Sequence, residues 1–119
     1  MSLRKNLWTD ELTQLDLGEP VAVSPETTVR RTIETMRARR VGCALICDGP
    51  RLVGVFTERD FIQRGIAAGV SLDTPMADVL TTDPVTTQRG DSVGSAIRTM
   101  CRGGYRHLPV VDRIGRPTG

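Results

Sequence analysis

The chain states one pattern twice, at an offset of 64 residues and with no gap. Val21-Ala22-Val23, Val29, Ile33-Glu34-Thr35-Met36 and Asp48 are answered by Val85-Thr86-Thr87, Val93, Ile97-Arg98-Thr99-Met100 and Asp112. A tandem repeat constrains the fold strongly, because each copy must form the same unit and bury its apolar face on a neighbour. The copies are unequal in extent. The first continues through Leu52 to Asp60 and on, whereas the second ends at Gly119, the apparent counterpart of Gly54 and one residue beyond the 64-residue offset. Arg116-Pro117-Thr118-Gly119 reads as an interrupted hairpin, so the natural chain is expected to continue into a further strand.

Each copy predicts the same order of elements. A short extended piece, Val21–Val23 or Val85–Thr87, is followed by a turn and then by a helix. Val29, Ile33 and Met36 recur at i, i+4, i+7, as do Val93, Ile97 and Met100, which marks one buried helix face. Thr27 or Thr28, and Asp91 or Ser92, are suitable N-caps, and Gly103-Gly104 closes the second helix. The apolar runs Cys43–Cys47 and Leu108–Val111 read as strands covered on both faces. Pro109 removes a ladder donor from the second of these, so that strand is locally unpaired or at an edge. Asp48-Gly49-Pro50 predicts a hairpin turn into Leu52–Phe56. A helix over Glu58–Ala68 is then expected to turn Phe61, Ile62 and Ile66 inward and to end at Gly69. Residues 70–84 form a connector in which Met76–Leu80 makes a helical turn. Residues 1–18 carry Leu3, Leu7, Leu12 and Leu15 at roughly helical spacing, a short amphipathic helix needing an apolar seat on this chain or a partner.

Composition narrows the function classes. Sixteen basic and fourteen acidic residues give a formal charge of +2, too balanced for a nucleic-acid backbone binder. Aromatic residues are 3% of the chain, so base-stacking platforms are poorly supplied and the core must be aliphatic. No run of 18 apolar residues and no signal-peptide pattern occurs, so the expectation is a cytoplasmic chain without a membrane. Cys43 and Cys47 share a strand face about 13 Å apart and cannot bridge, and with Cys101 they make an odd count. A reduced compartment follows. One histidine and no Cys-x-x-Cys leave no expected metal site. No Gly-x-Ser-x-Gly or Gly-Lys-Ser/Thr motif occurs, so no catalytic residues are assigned and no enzyme activity is expected.

Three phrases carry a resemblance. Val23-Ser24-Pro25-Glu26-Thr27-Thr28-Val29, Gly54-Val55-Phe56-Thr57-Glu58-Arg59-Asp60 and Gly104-Tyr105-Arg106-His107-Leu108-Pro109-Val110-Val111-Asp112 resemble the cystathionine-β-synthase (CBS) domain family. Two tandem copies form what is called a Bateman module. The resemblance covers about Val21 to Gly119 and implies an α/β fold: two pseudo-symmetric strand-helix-strand-strand-helix units packed through their sheets. The second unit here would lack its last strand and helix. The implied organisation is an N-terminal helix over 1–18, a first CBS repeat over 19–69, a connector over 70–84 and an incomplete second repeat over 85–119. Such modules resemble regulators that bind AMP, ADP, ATP or S-adenosylmethionine in the cleft between repeats, pair as homodimers and modulate a partner protein. No obligatory cofactor is implied.

Thr57-x-x-Asp60, at the junction of an apolar strand and a helix, is the leading candidate. A carboxylate there can accept hydrogen bonds from both ribose hydroxyls, and a hydroxyl beside helical N–H groups suits a phosphate. In the family the Ser/Thr-x-x-Asp position plays this part. The same four residues also read as a near variant of a capping box, with purely local bonds. The resemblance adds Val55 and the adenine-facing strand at Gly42, Cys43 and Ala44, whose small side chains leave backbone groups to read a ring edge. It also adds Arg106 and His107, which would reach a phosphate from the second repeat. Arg40 and Arg59 are weaker candidates, read as solvated charges. At most one competent site is expected, since the second Ser/Thr-x-x-Asp position would fall beyond Gly119. The alternative function is a ligand-free dimerisation module, favoured by the unmatched N-terminal leucines and the unfinished second unit.

Overall fold

A computed structural model describes residues 11–12, 19–66, 68–82, 84–104 and 107–119. The chain divides into two compact units, Pro20–Pro84 and one that joins Met1–Glu19 to Val85–Gly119. The unit Pro20–Pro84 holds a four-stranded sheet in the order β1-β2-β3-β4. Its strands are β1 (Ala22–Val23), β2 (Cys43–Asp48), β3 (Arg51–Thr57) and β4 (Thr81–Thr82). Helix α1 spans Val29–Arg39, and α2 comprises Glu58–Asp60 with a π-helical continuation over Phe61–Ile66. The other unit holds β5 (Thr87–Gln88), α3 (Val93–Gly103) and β6 (Val110–Val111). Among the described residues no helix is long and apolar enough to cross a membrane.

The repetition in the sequence extends to single hydrogen bonds. β1 pairs β2 in parallel with Val23 opposite Ile46, and β5 pairs β6 in parallel with Thr87 opposite Val110, the same offset. Ahead of α1, the Ser24 N–H donates to Thr27 Oγ1 at 3.2 Å; ahead of α3, the Gln88 N–H donates to Asp91 Oδ2 at 2.8 Å. Thr28 and Ser92 then cap the two helices, accepting from Arg31 N and Ser95 N. Each such cap contributes about 1 kcal/mol. The bonds from Gln88 and Thr87 hold the Asp91 carboxyl below the usual carboxylate range.

Both helices also end alike, in a left-handed residue. Gly104 takes φ 69° after α3, and Arg40 takes φ 55° after α1. Glycine has no Cβ to clash there, but a left-handed arginine costs about 1–2 kcal/mol. Arg40 is the only non-glycine residue at positive φ among those described.

Pro109 creates the main difference between the sheets. In the first unit Leu45 N–H donates to the Val21 carbonyl at 2.8 Å. Pro109 is the counterpart of Leu45 and has no N–H to give. Its carbonyl still accepts from Thr87 N at 3.0 Å, so β5 begins at Thr87 rather than at Val85 as expected. Val85 is consequently 43% exposed where Val21 is 4% exposed. Beyond Asp112 the chain turns back, Val111 bridges Pro117 antiparallel, and Arg89 holds this return through Thr118 O at 2.7 Å.

One face of the four-stranded sheet and the inner face of α1 form the core of the first unit, with Val29, Met36, Ala44, Ile46 and Phe56 buried. Met76 and Val79 complete it, so the expected connector is an integral layer of this unit. The backbone explains why: Val29 N and Arg30 N donate to Thr74 and Leu72 carbonyls, and Met76 N donates back to Thr27 O. Met76–Asp78 forms a 3-10 turn, and β4, absent from the sequence reading, pairs with β3 beside Gly54.

Three expectations are corrected. Ile97 is 41% exposed, so α3 buries Val93 and Ala96 rather than Ile97. Phe61 packs against the core, but Ile62 and Ile66 are exposed, so they share an outward face. Spacing of i, i+4 groups side chains without saying which way their face points. The helix also stops at Ile66 rather than Ala68, its π-helical end containing Gly65, a poor helix former. The predicted N-terminal helix lies outside the described residues except for Glu11, which bridges Ser92, and Leu12, which is buried with Val93, Ala96 and Val110.

Gly54 offers a direct check of the β3–β4 approach. A Cβ there would meet Leu80 Cδ1 at 2.6 Å and the Thr81 carbonyl oxygen at 2.9 Å. Gly54→Ala is expected to lower stability by about 1–3 kcal/mol, read by urea unfolding.

Candidate functional site

β2 and β3 are joined through a tight turn at Gly49, and their register decides which candidate residues meet. Cys43 stands opposite Thr57, Ala44 opposite Phe56 and Leu45 opposite Val55. Side chains alternate across a sheet, so Cys43, Val55 and Thr57 share one face while Ala44 and Phe56 share the other. Ala44 is fully buried in the helix-side core, which leaves its methyl unable to touch a ligand. Gly42 is tied in by its carbonyl, which accepts from the Glu58 N–H at 3.1 Å.

Thr57 and Asp60 form a reciprocal capping box. Thr57 Oγ1 accepts from the Asp60 N–H at 3.2 Å, and Asp60 Oδ2 accepts from the Thr57 N–H at 3.0 Å. The local reading of the motif is therefore realised, and it fixes the carboxylate where β3 meets α2. That carboxylate acts on Cys43. Burial, with the Asp60 charge adding to it, pushes the Cys43 thiol up to about 11. Thr57, Asp60, Cys43 and Val55 thus gather at one end of one sheet face.

The other candidates fall elsewhere. His107 is exposed in the extended stretch ahead of Pro109, and Arg106 lies outside the described residues. Arg59 is exposed on α2. All three cysteines are free. Among the described residues no three His, Cys, Asp or Glu side chains gather to hold a metal ion.

A cleft of about 320 Å³ opens on the helix side of the same unit. Ile33, Met36, Val41, Phe56 and Phe61 supply its apolar lining, while Arg37, Arg40 and Glu58 bring charge and Gly42 lies at its edge. Arg40, read from sequence as a solvated charge, lines this cleft. Its signal was available in the repeat, where the matching position is Gly104.

The sequence and the architecture meet in the comparisons. The CBS domain model matches residues 15–66 and again 76–119. The chain belongs to the CBS-domain family. A CBS domain-containing protein of Arabidopsis thaliana is 35% identical over 101 residues, 83% of this chain but 18% of the relative. The chain therefore spans under a fifth of that relative's length. A CBS domain-containing protein of Bacillus subtilis is 31% identical over 76% of this chain and 65% of its own length. Among solved structures, a CBS domain protein from Pyrobaculum aerophilum complexed with AMP superposes with a TM-score of 0.84 at 30% identity. That match covers 92% of this chain and 85% of the other. An uncharacterized conserved protein from Pyrococcus horikoshii has the same fold, with a TM-score of 0.86 at 24% identity over 94% of this chain and 85% of its own.

The coupling of Cys43 to Asp60 can be measured. Alkylation by iodoacetamide, followed by mass spectrometry across pH, is expected to modify exposed Cys101 well before Cys43. Asp60→Asn removes a negative charge that opposes the thiolate, so the Cys43 midpoint moves down in pH. It stays above that of an exposed thiol, because burial is the larger cause.

Proposed function

We propose that this CBS pair is a regulatory module that binds an adenosine-containing ligand at the sheet face carrying Cys43, Val55, Thr57 and Asp60. The carrying observation is the Asp60 carboxylate. One of its oxygens is fixed by the Thr57 N–H, and no other bond of the group exists among the described residues. An anchored carboxylate with a second oxygen available suits the paired hydroxyls of a ribose. Cys43, kept as a neutral thiol, and Val55 offer an apolar surface for the base beside it. Gly42 lies on the adjoining strand entrance.

AMP is the first ligand to test, because it is the compound bound by the Pyrobaculum aerophilum CBS domain protein. ADP, ATP and S-adenosylmethionine share its adenosine and form the comparison set. The module carries no chemical step of its own in this reading. It acts on a partner protein only through a difference in ligand affinity between two arrangements of the module.

A second reading is favoured by the outward face of α2. Ile62 and Ile66 are 60% and 65% exposed and one helical turn apart, a surface that suits a second copy or another chain. Light scattering at several concentrations separates the readings: a dimer unaffected by nucleotide, with no ligand heat, supports the interaction module alone.

Calorimetric titration tests the main reading. AMP is expected to bind saturably below millimolar concentration, and Asp60→Ala to weaken it at least about tenfold, the loss of a charge-assisted pair of hydrogen bonds. Thermal melting of the variant confirms that it remains folded. Absence of saturable heat with all four ligands, or unchanged affinity in folded Asp60→Ala, would overturn the assignment.

A further inference from the structure

The helix-side cleft carries a feature that its sister repeat does not share. Both repeats end their first helix in a left-handed residue, and the second uses Gly104, the residue type for which that conformation is easy. The first uses Arg40, and Arg40 lines the cleft. Arg37, one turn earlier, lines it too. Their counterparts in the second repeat are Gly104 and Cys101, so both guanidinium groups are particular to this unit. Neither arginine is in an ion pair among the described residues. Strained backbone at a charged residue beside an apolar hollow is the pattern of a site kept at the expense of stability.

We propose that this cleft is a second ligand site, for a small organic anion with an aromatic or aliphatic body and a single acidic group. Ile33, Val41 and Phe61, the partly buried apolar residues of the lining, receive the body, and Arg37 and Arg40 receive the acid through charge-assisted hydrogen bonds. The volume of about 320 Å³ lies within the range of small-molecule pockets. Glu58 on the same lining disfavours ligands with several negative charges by repulsion. The site lies on the face of the sheet opposite Thr57 and Cys43, so it stands or falls independently of the adenosine reading.

Arg40→Gly separates a site from a tolerated irregularity, because it removes the guanidinium while relieving the backbone. The intact chain is titrated with 8-anilinonaphthalene-1-sulfonate, an aryl anion, and with neutral N-phenyl-1-naphthylamine, both read by fluorescence. Arg40→Gly is expected to melt roughly 2–6 °C higher than the parent. It is also expected to bind the sulfonate at least about fivefold more weakly while holding the neutral probe unchanged. Arg37→Gln weakens the sulfonate in the same direction. Arg31→Gln, which removes an exposed guanidinium of the same helix outside the cleft, changes its affinity less than about twofold. Asp60→Asn leaves sulfonate binding intact, which keeps this result distinct from the AMP titration. The proposal is overturned if the parent binds the sulfonate without saturation, or if Arg40→Gly is stabilised with unchanged sulfonate affinity. It is equally overturned if both probes weaken together, or if Arg31→Gln matches the effect of Arg40→Gly.

Discussion

The parallel pairing of a leading strand with the strand beyond its helix is the constraint on which the rest depends. Val23 opposite Ile46 and Thr87 opposite Val110 fix where each helix must begin and end. A parallel pair needs a crossover, and an 11-residue helix with capped ends supplies it in both repeats. The turns before the helices use different side chains, Thr27 and Asp91, to satisfy the same backbone N–H. That substitution is possible because the requirement is a hydrogen-bond acceptor three residues on, which a hydroxyl and a carboxylate both provide.

The site inherits its order from this frame. The β2–β3 register places Cys43 beside Thr57, and the cap at the end of β3 holds Asp60 against them. Capping and ligand binding are compatible uses of the same carboxylate, since one oxygen suffices for the Thr57 N–H. The local bond has a consequence for binding: it restricts the Asp60 rotamer before any ligand arrives, which reduces the ordering a ligand must bring about. On the opposite sheet face the left-handed Arg40 places charge beside an apolar hollow, at a position where glycine would fold more easily.

Much of this was legible in the residues. Period-3.6 spacing located α1 and α3, the repeat fixed their equivalence, and Pro109 announced a weakened strand, because these are local properties of the chain. The capping box at Thr57 was legible for the same reason. What escaped were facts about faces and distant partners. Ile62 and Ile66 share a face by spacing, yet only the packing of Phe61 against the core decides that theirs points outward. Residues 70–84 look like a linker, since the sequence does not reveal that Met76 N–H finds the Thr27 carbonyl.

The sequence by itself determined the duplicated α/β unit, the places of α1 and α3 and the Thr57-to-Asp60 motif, because caps, period and turn chemistry are settled within a few residues of chain. Only the tertiary structure decided that Ala44 is buried while Cys43 meets Asp60, and that Arg40 borders a cleft in a conformation its sister position gives to glycine. Those outcomes rest on strand register, on close approaches such as that of Leu80 to Gly54, and on the pairing of segments far apart in sequence. No local pattern encodes them.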